Sequence, residues 1–195
     1  MEFKNSKTAG NLMKAFAGES QARNRYTYYA SVARKQGLFQ IADLFTETAE
    51  NEKEHAKMFM KQLVKNGMNE QVIMITDGAF PVAFADTLKN LGYAAKGENE
   101  EWTAIYKDFA SIAEKEGYAE VAQTFKKIAL VEKRHEARYN KLHESLKNNQ
   151  IFQKDTKVAW ICGNCGHIVD ASEAPKICPV CDHGQEHFRM FVENY

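Results

Sequence analysis

The sequence predicts an all-α four-helix bundle followed by a small cysteine-containing module. Residues 1–147 are rich in Ala, Glu and Lys and contain one proline, Pro81, a composition typical of helices. Four stretches within them repeat apolar side chains at intervals of three and four residues, which is the spacing of one helix face. All four cysteines lie beyond residue 160, in two Cys-x-x-Cys pairs. The bundle is therefore expected first and a smaller, separate unit second.

The four apolar stretches are expected to pair into two helical hairpins. They cover residues 12–33, 41–63, 91–112 and 121–142. Gly37 and Gly117 follow the first and third stretches, and each suits the left-handed residue that ends a helix. The next stretch starts almost at once, so each pair should be antiparallel. Between the hairpins, Gly67 and Pro81 interrupt the helical pattern, which predicts that residues 67–86 form one long crossover.

The two hairpins form an internal repeat that carries one four-residue motif twice. Glu52-x-x-His55 in the second stretch corresponds to Glu132-x-x-His135 in the fourth, 80 residues later. Residues three apart share one face of a helix. Both motifs lie in the apolar stripe, where a core side chain is expected, so each directs a carboxylate and an imidazole towards the centre of the bundle.

Each motif also has a glutamate upstream in the first helix of its hairpin. These are Glu19 and Glu98, which are offset by 79 residues rather than 80, so the repeat slips by one residue in that helix. A glycine precedes each of them, Gly18 and Gly97. A glycine inside a helix costs about 1 kcal/mol relative to alanine. Its occurrence twice beside these glutamates suggests a packing reason.

These six side chains match the ligand set of a carboxylate-bridged dimetal centre in a four-helix bundle. A carboxylate on an apolar face is costly unless it is paired or bound to metal. One Glu-x-x-His alone would more simply be a surface pair, but two in register with a repeat favour metal binding. Carboxylate and imidazole suit iron or manganese. The predicted ligands are Glu52 and Glu132 as bridges, Glu19 and His55 on one metal, and Glu98 and His135 on the other.

Three further residues are candidates for the same site. Glu101 lies one turn beyond Glu98, and its counterpart in the first hairpin is Ala22, so an acid here makes the two halves unequal. Glu101 is predicted to be an additional ligand, with a solvated surface glutamate as the alternative. Tyr26 and Tyr106 lie on or near the inward stripes. Their hydroxyls either hydrogen-bond the ligand carboxylates or simply belong to aromatic packing.

The last part of the chain is predicted to be a metal-binding module. The pairs Cys162/Cys165 and Cys178/Cys181 provide four thiolates, which suit a tetrahedral site for zinc or iron. Spacing alone does not separate a structural zinc ribbon from a one-iron electron-transfer site. The predicted organisation is a bundle over residues 1–147, a polar linker over 148–157 and the cysteine module over 158–195.

Bulk properties narrow the class of protein. The chain has 195 residues and equal numbers of basic and acidic side chains, 26 of each, so a nucleic-acid partner is not expected. No apolar run is long enough to span a bilayer, and the N-terminus lacks the apolar core of a signal peptide. Cys-x-x-Cys pairs in a reducing compartment indicate metal binding rather than disulfides. We therefore expect a cytoplasmic protein that does not bind to or span a membrane.

Taken together, these motifs resemble those of the rubrerythrin family over nearly the whole chain. The motifs that match are Gly18-Glu19-Ser20, Glu52-x-x-His55, Gly97-Glu98-x-x-Glu101, Glu132-x-x-His135, Trp160-x-Cys162-x-x-Cys165-Gly166 and Cys178-Pro179-x-Cys181. The resemblance implies a ferritin-like bundle with two non-haem iron ions and a rubredoxin-like domain with one iron held by four cysteines.

The same resemblance implies a function and partners. It implies a peroxidase that reduces hydrogen peroxide to water with electrons from NAD(P)H, delivered by a separate reductase or rubredoxin, in protection against oxidative stress. It also implies a head-to-tail homodimer that brings one subunit's four-cysteine iron beside the other's di-iron site. The competing readings of the sequence are a ferroxidase or iron-storage protein and a zinc-stabilised sensor without turnover.

Overall fold

The chain folds as a four-helix bundle followed by a three-stranded sheet, in a computed structural model that describes residues 2–194. The predicted fold class is therefore confirmed. The helices are α1 (Lys7–Lys35), α2 (Phe39–Leu63), α3 (Thr87–Glu100), α4 (Tyr106–Lys115) and α5 (Ala119–Lys147). A π-helical turn, Glu101–Ile105, joins α3 to α4, so these two together form the third helix of the bundle. A second π-helical turn, Val64–Met68, ends α2.

Short connections make α1 with α2, and α4 with α5, antiparallel neighbours. Gly37 and Gly117 lie in these connections with φ of +70° and +88°, as the sequence predicts. A residue without Cβ adopts this left-handed conformation at no steric cost. The α1 N-terminus is held by a distant carboxylate, because Glu116 accepts hydrogen bonds from the backbone N–H groups of Lys7 and Thr8. The start of α1 is thus tied to the end of α4.

The two hairpins are joined by a long crossover that contains no helix or strand over residues 69–86. It runs along α1 and is attached to it at two points. Lys14 forms an ion pair with Asp77 at 2.6 Å, and the Tyr29 hydroxyl donates to the carbonyl oxygen of Ala83 at 2.7 Å. The crossover therefore covers one side of the bundle rather than projecting from it.

The bundle interior has two apolar cores with a polar layer between them. Tyr29, Phe45 and Tyr139 belong to one core, and Phe59 and Phe125 to the other. Burial of an aromatic side chain of this kind contributes about 1.5–3 kcal/mol. Along each bundle helix, residues of one core occupy one part and residues of the other core occupy the other part. The predicted ligands lie at the boundary between these two parts. The cores thus support the polar layer from both ends.

The C-terminal part is an antiparallel sheet with strand order β2-β1-β3. The strands are β1 (Gln153–Cys162), β2 (Ile168–Glu173) and β3 (Phe188–Met190). Its own small core contains Trp160, Phe188 and two of the cysteines, and the Trp160 indole N–H donates to the carbonyl oxygen of Ala171 at 3.0 Å.

The C-terminal part contacts the end of the bundle at the α1–α2 turn through a short helical turn before β3, Gln185–His187. The rings of Phe39 and His187 meet edge to face at 4.9 Å. Phe152 packs against both the bundle core and the sheet core, and β1 begins at Gln153, inside the segment that the sequence predicts as a linker. None of the helices over residues 2–194 is long and apolar enough to cross a membrane.

Candidate metal centres

The polar layer of the bundle brings the six predicted Glu and His ligands together. Glu19 comes from α1, Glu98 from α3, and one Glu-x-x-His motif from each of α2 and α5. Two overlapping clusters result, each with potential ligand atoms within 4.8 Å of one another. One consists of Glu19, Glu52, His55 and Glu132, and the other of Glu52, Glu98, Glu132 and His135.

Glu52 and Glu132 belong to both clusters and lie between the two histidines. Nδ1 of His55 is 2.9 Å from Glu52 Oε2 and 2.9 Å from Glu132 Oε1. Nδ1 of His135 is 2.9 Å from Glu132 Oε2 and 3.2 Å from Glu52 Oε1. The two imidazole rings are 6.0 Å apart and nearly parallel. This is the arrangement in which two carboxylates can bridge two adjacent ions.

The chemistry of the cluster fits a pair of metal ions. Four carboxylates of the layer are at most 1% exposed, yet oxygen atoms of all four, together with both His Nδ1 atoms, lack a hydrogen-bond partner of good geometry. Buried polar atoms are normally satisfied. Here they face a common centre at close range instead, and cations bound there would satisfy them. The residues present therefore fit a dimetal site.

The polar layer contains more acidic than basic side chains, and most of them are buried away from water. Burial, together with repulsion from Glu101 and Glu132, raises the pKa of Glu19 well above its ordinary value. Burial and the charge of Glu52 raise the pKa of Glu98 to about 8. Burial opposes protonation of the histidines, but their carboxylate contacts raise the pKa of His55 to about 10 and that of His135 to about 12. Metal ions would replace these protons as counter-charge.

The two tyrosines connect the hairpins to each other through the ligand carboxylates. The Tyr26 hydroxyl of α1 donates to Glu98 of α3 at 2.6 Å, and the Tyr106 hydroxyl of α4 donates to Glu19 of α1. Burial raises the pKa of both phenols well above the ordinary value, so they stay protonated and act as donors. Each hairpin thereby orients a carboxylate of the other.

The π-helical turn explains the slip in the internal repeat. Glu19 and Glu98 are 79 residues apart, whereas Tyr26 and Tyr106 are 80 apart, so one residue is added between Glu98 and Tyr106. The turn Glu101–Ile105 lies in that interval. A π-helical turn accommodates one extra residue in an α-helix and often occurs at functional sites. The change of offset was the sequence signal from which the turn could have been predicted.

Glu101 occupies the first position of the π-helical turn and differs from the other acids. It is outside both four-residue clusters, and it is partly exposed where Glu19, Glu52, Glu98 and Glu132 are buried. Burial and the charge of Glu98 nevertheless raise its pKa well above the ordinary value, so it lies in the field of the cluster. In the structure the cluster that contains Glu19 includes His55 and does not include Glu101.

A polar network next to the π-helical turn was not predicted from the sequence. The Trp102 indole N–H donates to Glu136, which also accepts from the Asn99 side-chain amide at 3.1 Å. Glu136 directly follows His135 in α5. The network therefore anchors the turn that carries Glu101 to the helix that carries His135. Glu136 lies on a different helix from Asn99 and Trp102, so the spacing of residues along the sequence did not reveal the network.

The four cysteines form a second candidate metal centre. All four sulfur atoms lie within 4.8 Å of one another and none is in a disulfide. Two of the sulfur–sulfur distances are 3.8 Å and 3.6 Å. A tetrahedron with such edges has its centre about 2.3 Å from each sulfur, which is a metal–thiolate bond length. The His183 backbone N–H beside Cys181 helps to lower the pKa of that thiol to about 6.

Both halves of the chain match models of known protein families. The model described as rubrerythrin matches residues 10–143. The chain belongs to the rubrerythrin family. The model described as the rubrerythrin rubredoxin-like domain matches residues 160–189. Rubrerythrin-1 of Clostridium acetobutylicum is 52% identical over 98% of both chains, and rubrerythrin of Porphyromonas gingivalis is 49% identical over 98% of this chain and 94% of its own.

Solved structures agree with this assignment. A nigerythrin in a mixed-valence state is similar with a TM-score of 0.64 and 28% identity, covering 96% of this chain and 90% of the other. Family membership makes the Glu/His cluster a ferritin-like di-iron site and the cysteine cluster a rubredoxin-like site. Rubrerythrins are di-iron proteins of oxidative-stress defence.

Proposed function

We propose that this chain is a peroxidase that reduces hydrogen peroxide to water at its di-iron site. One observation carries the proposal: a single chain contains both a dimetal cluster and a four-cysteine centre suited to electron transfer. The dimetal cluster also has an acid beside it, Glu101, that has no counterpart in the other hairpin. Conversion of one hydrogen peroxide to two waters consumes two electrons and two protons. A chain with its own electron-transfer centre can return those electrons after each turnover.

The proposed ligands follow from the two clusters. Their membership supports Glu52 and Glu132 as bridges, because both belong to each cluster. Glu19 with His55 would hold one ion, and Glu98 with His135 the other. Glu101 and His55 would be alternative ligands of the same ion, which the partial exposure of Glu101 and its position on a π-helical turn support. The iron ions, when bound, supply the electrons for the reaction.

The protein's contribution is to orient, shield and supply protons. Tyr26 and Tyr106 hold Glu98 and Glu19 in position through their hydrogen bonds. The two apolar cores exclude bulk water from the layer. Glu101 is partly exposed, so its carboxyl group can carry a proton between solvent and the site.

We propose that electrons pass between subunits of a head-to-tail homodimer. Within one chain the C-terminal part contacts Phe39, at the start of α2, through His187. Glu52 lies about 20 Å further along that helix at 1.5 Å per residue. Electron transfer falls steeply with distance, so a partner's four-cysteine centre beside the di-iron site would be the better donor. An NAD(P)H-linked reductase or a rubredoxin would supply that centre, and the free thiols support a cytoplasmic location.

Rapid mixing tests the peroxidase proposal. Anaerobically reduced, iron-loaded protein should be oxidised faster by hydrogen peroxide than by dioxygen, and the four-thiolate iron should follow in the visible spectrum. Glu101→Ala should lower peroxide turnover at least about tenfold, since it removes a ligand that only this reaction is proposed to need. Full peroxide turnover by Glu101→Ala would contradict the role proposed for this side chain. Faster oxidation by dioxygen than by peroxide, with iron accumulation, would instead favour a ferroxidase.

Mixed dimers test the route of the electrons. A Cys178→Ser chain keeps the di-iron ligands, and a Glu132→Ala chain keeps the four cysteines; neither homodimer should turn over. Differently tagged chains purified as mixed dimers should recover turnover, because one intact centre of each kind then lies across the interface. Inactive mixed dimers that contain both metals would contradict transfer between subunits.

A further inference from the structure

A cavity of about 460 Å³ lies between α1, the π-helical turn and the crossover. We call it the side cavity; its walls include Gly18, Arg25, Phe80, Gly97, Glu101 and Tyr106. It reaches the di-iron layer at two of these residues. Glu101 is partly exposed, whereas the other four glutamates of the site are buried. The Tyr106 hydroxyl donates a hydrogen bond to Glu19. A small molecule that enters the side cavity from solvent can therefore reach two groups that belong to the di-iron layer.

The two glycines in the wall are the pair that precede the site glutamates in the sequence. At neither position do neighbouring atoms come so close that only glycine would fit. A Cβ built on Gly97 would meet nothing within 4 Å, and one on Gly18 would meet only the Phe80 ring at 4.0 Å. Both lie inside helices, where glycine costs about 1 kcal/mol relative to alanine. What their missing side chains provide is open space in the side cavity.

We propose that the side cavity is the path by which peroxide reaches the di-iron site, and that Gly18 and Gly97 set its width. This inference rests on the proposed peroxidase function. The proposal accounts for the position of both glycines one residue before an acid of the site. Each glycine lies on the helix face that lines the side cavity, and the glutamate that follows it lies on the face that lines the polar layer.

The crossover forms the outer wall of this path and sets the size of molecule that it admits. The ion pair of Lys14 with Asp77 holds the crossover against α1 at 2.6 Å. Phe80 follows closely, 43% exposed, with its ring against Gly18. As part of the proposal, this ring narrows the entrance beside Gly18, so a branched alkyl hydroperoxide should pass more slowly than hydrogen peroxide.

Gly97→Leu tests the path, with Gly10→Leu as the matched control. Gly10 is also inside a helix and its Cβ would also meet nothing within 4 Å, but it does not line the side cavity. Gly97→Leu should slow oxidation of the reduced centre by hydrogen peroxide about tenfold or more, and Gly10→Leu should not. Oxidation of Gly97→Leu at the rate of the unmodified protein would overturn the proposal.

Azide binding to the oxidised iron-loaded protein gives a readout that is independent of turnover. A narrowed path should lower the association and dissociation rates of azide by the same factor and leave its equilibrium affinity unchanged. A changed affinity with unchanged association rate would mean that the substitution distorts the site, and would count against the path. If hydrogen peroxide fails to oxidise even the unmodified protein, the peroxidase function fails, while the azide rates still decide on the path.

Phe80→Ala tests the selection by size in the opposite direction. Removal of the ring should raise the rate of oxidation by tert-butyl hydroperoxide several-fold and raise the rate with hydrogen peroxide less. An azide affinity equal to that of the unmodified protein would show that this gain of rate does not come from a distorted site. Equal rates for tert-butyl hydroperoxide in Phe80→Ala and in the unmodified protein would exclude the crossover as the outer wall.

Discussion

At the scale of single residues, two tyrosines orient two of the candidate ligands. Tyr26 donates a hydrogen bond to Glu98, and Tyr106 donates one to Glu19. Each phenol is fully buried in an aromatic core and directs its hydroxyl into the polar layer. A buried carboxylate is mobile and costly unless its oxygens are engaged. The phenols engage one oxygen of each and leave the other for a metal.

Tyr26→Phe is expected to weaken metal binding on the Glu98 side. The loss of a hydrogen bond to a ligand typically lowers metal affinity 10–100-fold, and about tenfold is expected here. Titration of the protein with ferrous or manganous ion by calorimetry measures this. Tyr29→Phe is the control, because its hydroxyl bonds the crossover backbone at Ala83 rather than a ligand. Equal affinities in the two variants would contradict an orienting role for Tyr26.

At the scale of secondary-structure elements, the contact of Glu116 with the start of α1 links two distant parts of the chain. The carboxylate accepts from two backbone N–H groups and from the Thr8 hydroxyl. The first N–H groups of a helix have no partner within it, and a negative charge is favourable there. Partial burial opposes ionisation, but these hydrogen bonds prevail and lower the pKa of Glu116 below its ordinary value.

Glu116→Gln should destabilise the bundle by about 1 kcal/mol at neutral pH, the usual effect of losing a helix cap. Because the pKa is lowered in the folded state, the contribution is complete above the unfolded-state pKa and is lost as pH falls through the folded-state value. Denaturation of both proteins at neutral and acid pH should therefore show a difference that disappears in acid. Glu114→Gln, in an exposed ion pair with Lys126, serves as control and should cost less.

At the scale of the whole molecule, the chain consists of a bundle stabilised by apolar cores and a sheet stabilised by its metal centre. The bundle has two clusters of buried aromatic and aliphatic side chains, whereas the sheet has one small cluster that includes Cys162 and Cys178 themselves. A unit with so small a core depends on metal binding for its folding free energy. We propose that the two units fold separately, with the boundary close to Phe152.

Cys178→Ser should unfold the sheet and leave the bundle intact. Structural metal sites of this kind contribute on the order of 10 kcal/mol, more than a small core can replace. Hydrogen exchange should show loss of protection in β1 to β3, with α1 to α5 unchanged, and the four-thiolate colour should disappear. His167→Ala, beside a cysteine but not a ligand candidate, should retain both. Loss of protection throughout the bundle would show that the two units fold as one.

Local pattern explains why so much of the architecture was predictable. Helix periodicity placed Glu52, His55, Glu132 and His135 on inward faces, and the left-handed glycines Gly37 and Gly117 ended helices where predicted. These are properties of neighbours within one helix or turn. The family resemblance rested on the same local motifs, and the comparisons confirmed it.

Sequence by itself therefore determined the helices, the repeat and the two sets of candidate metal-binding side chains. Only the tertiary structure decided that each tyrosine bonds the glutamate of the other hairpin, that Glu101 is the partly exposed acid, and that Gly18 and Gly97 share one cavity. The physical reason is that helix periodicity specifies the direction of a side chain but not the neighbour it meets. That neighbour depends on how separate helices and the crossover pack together.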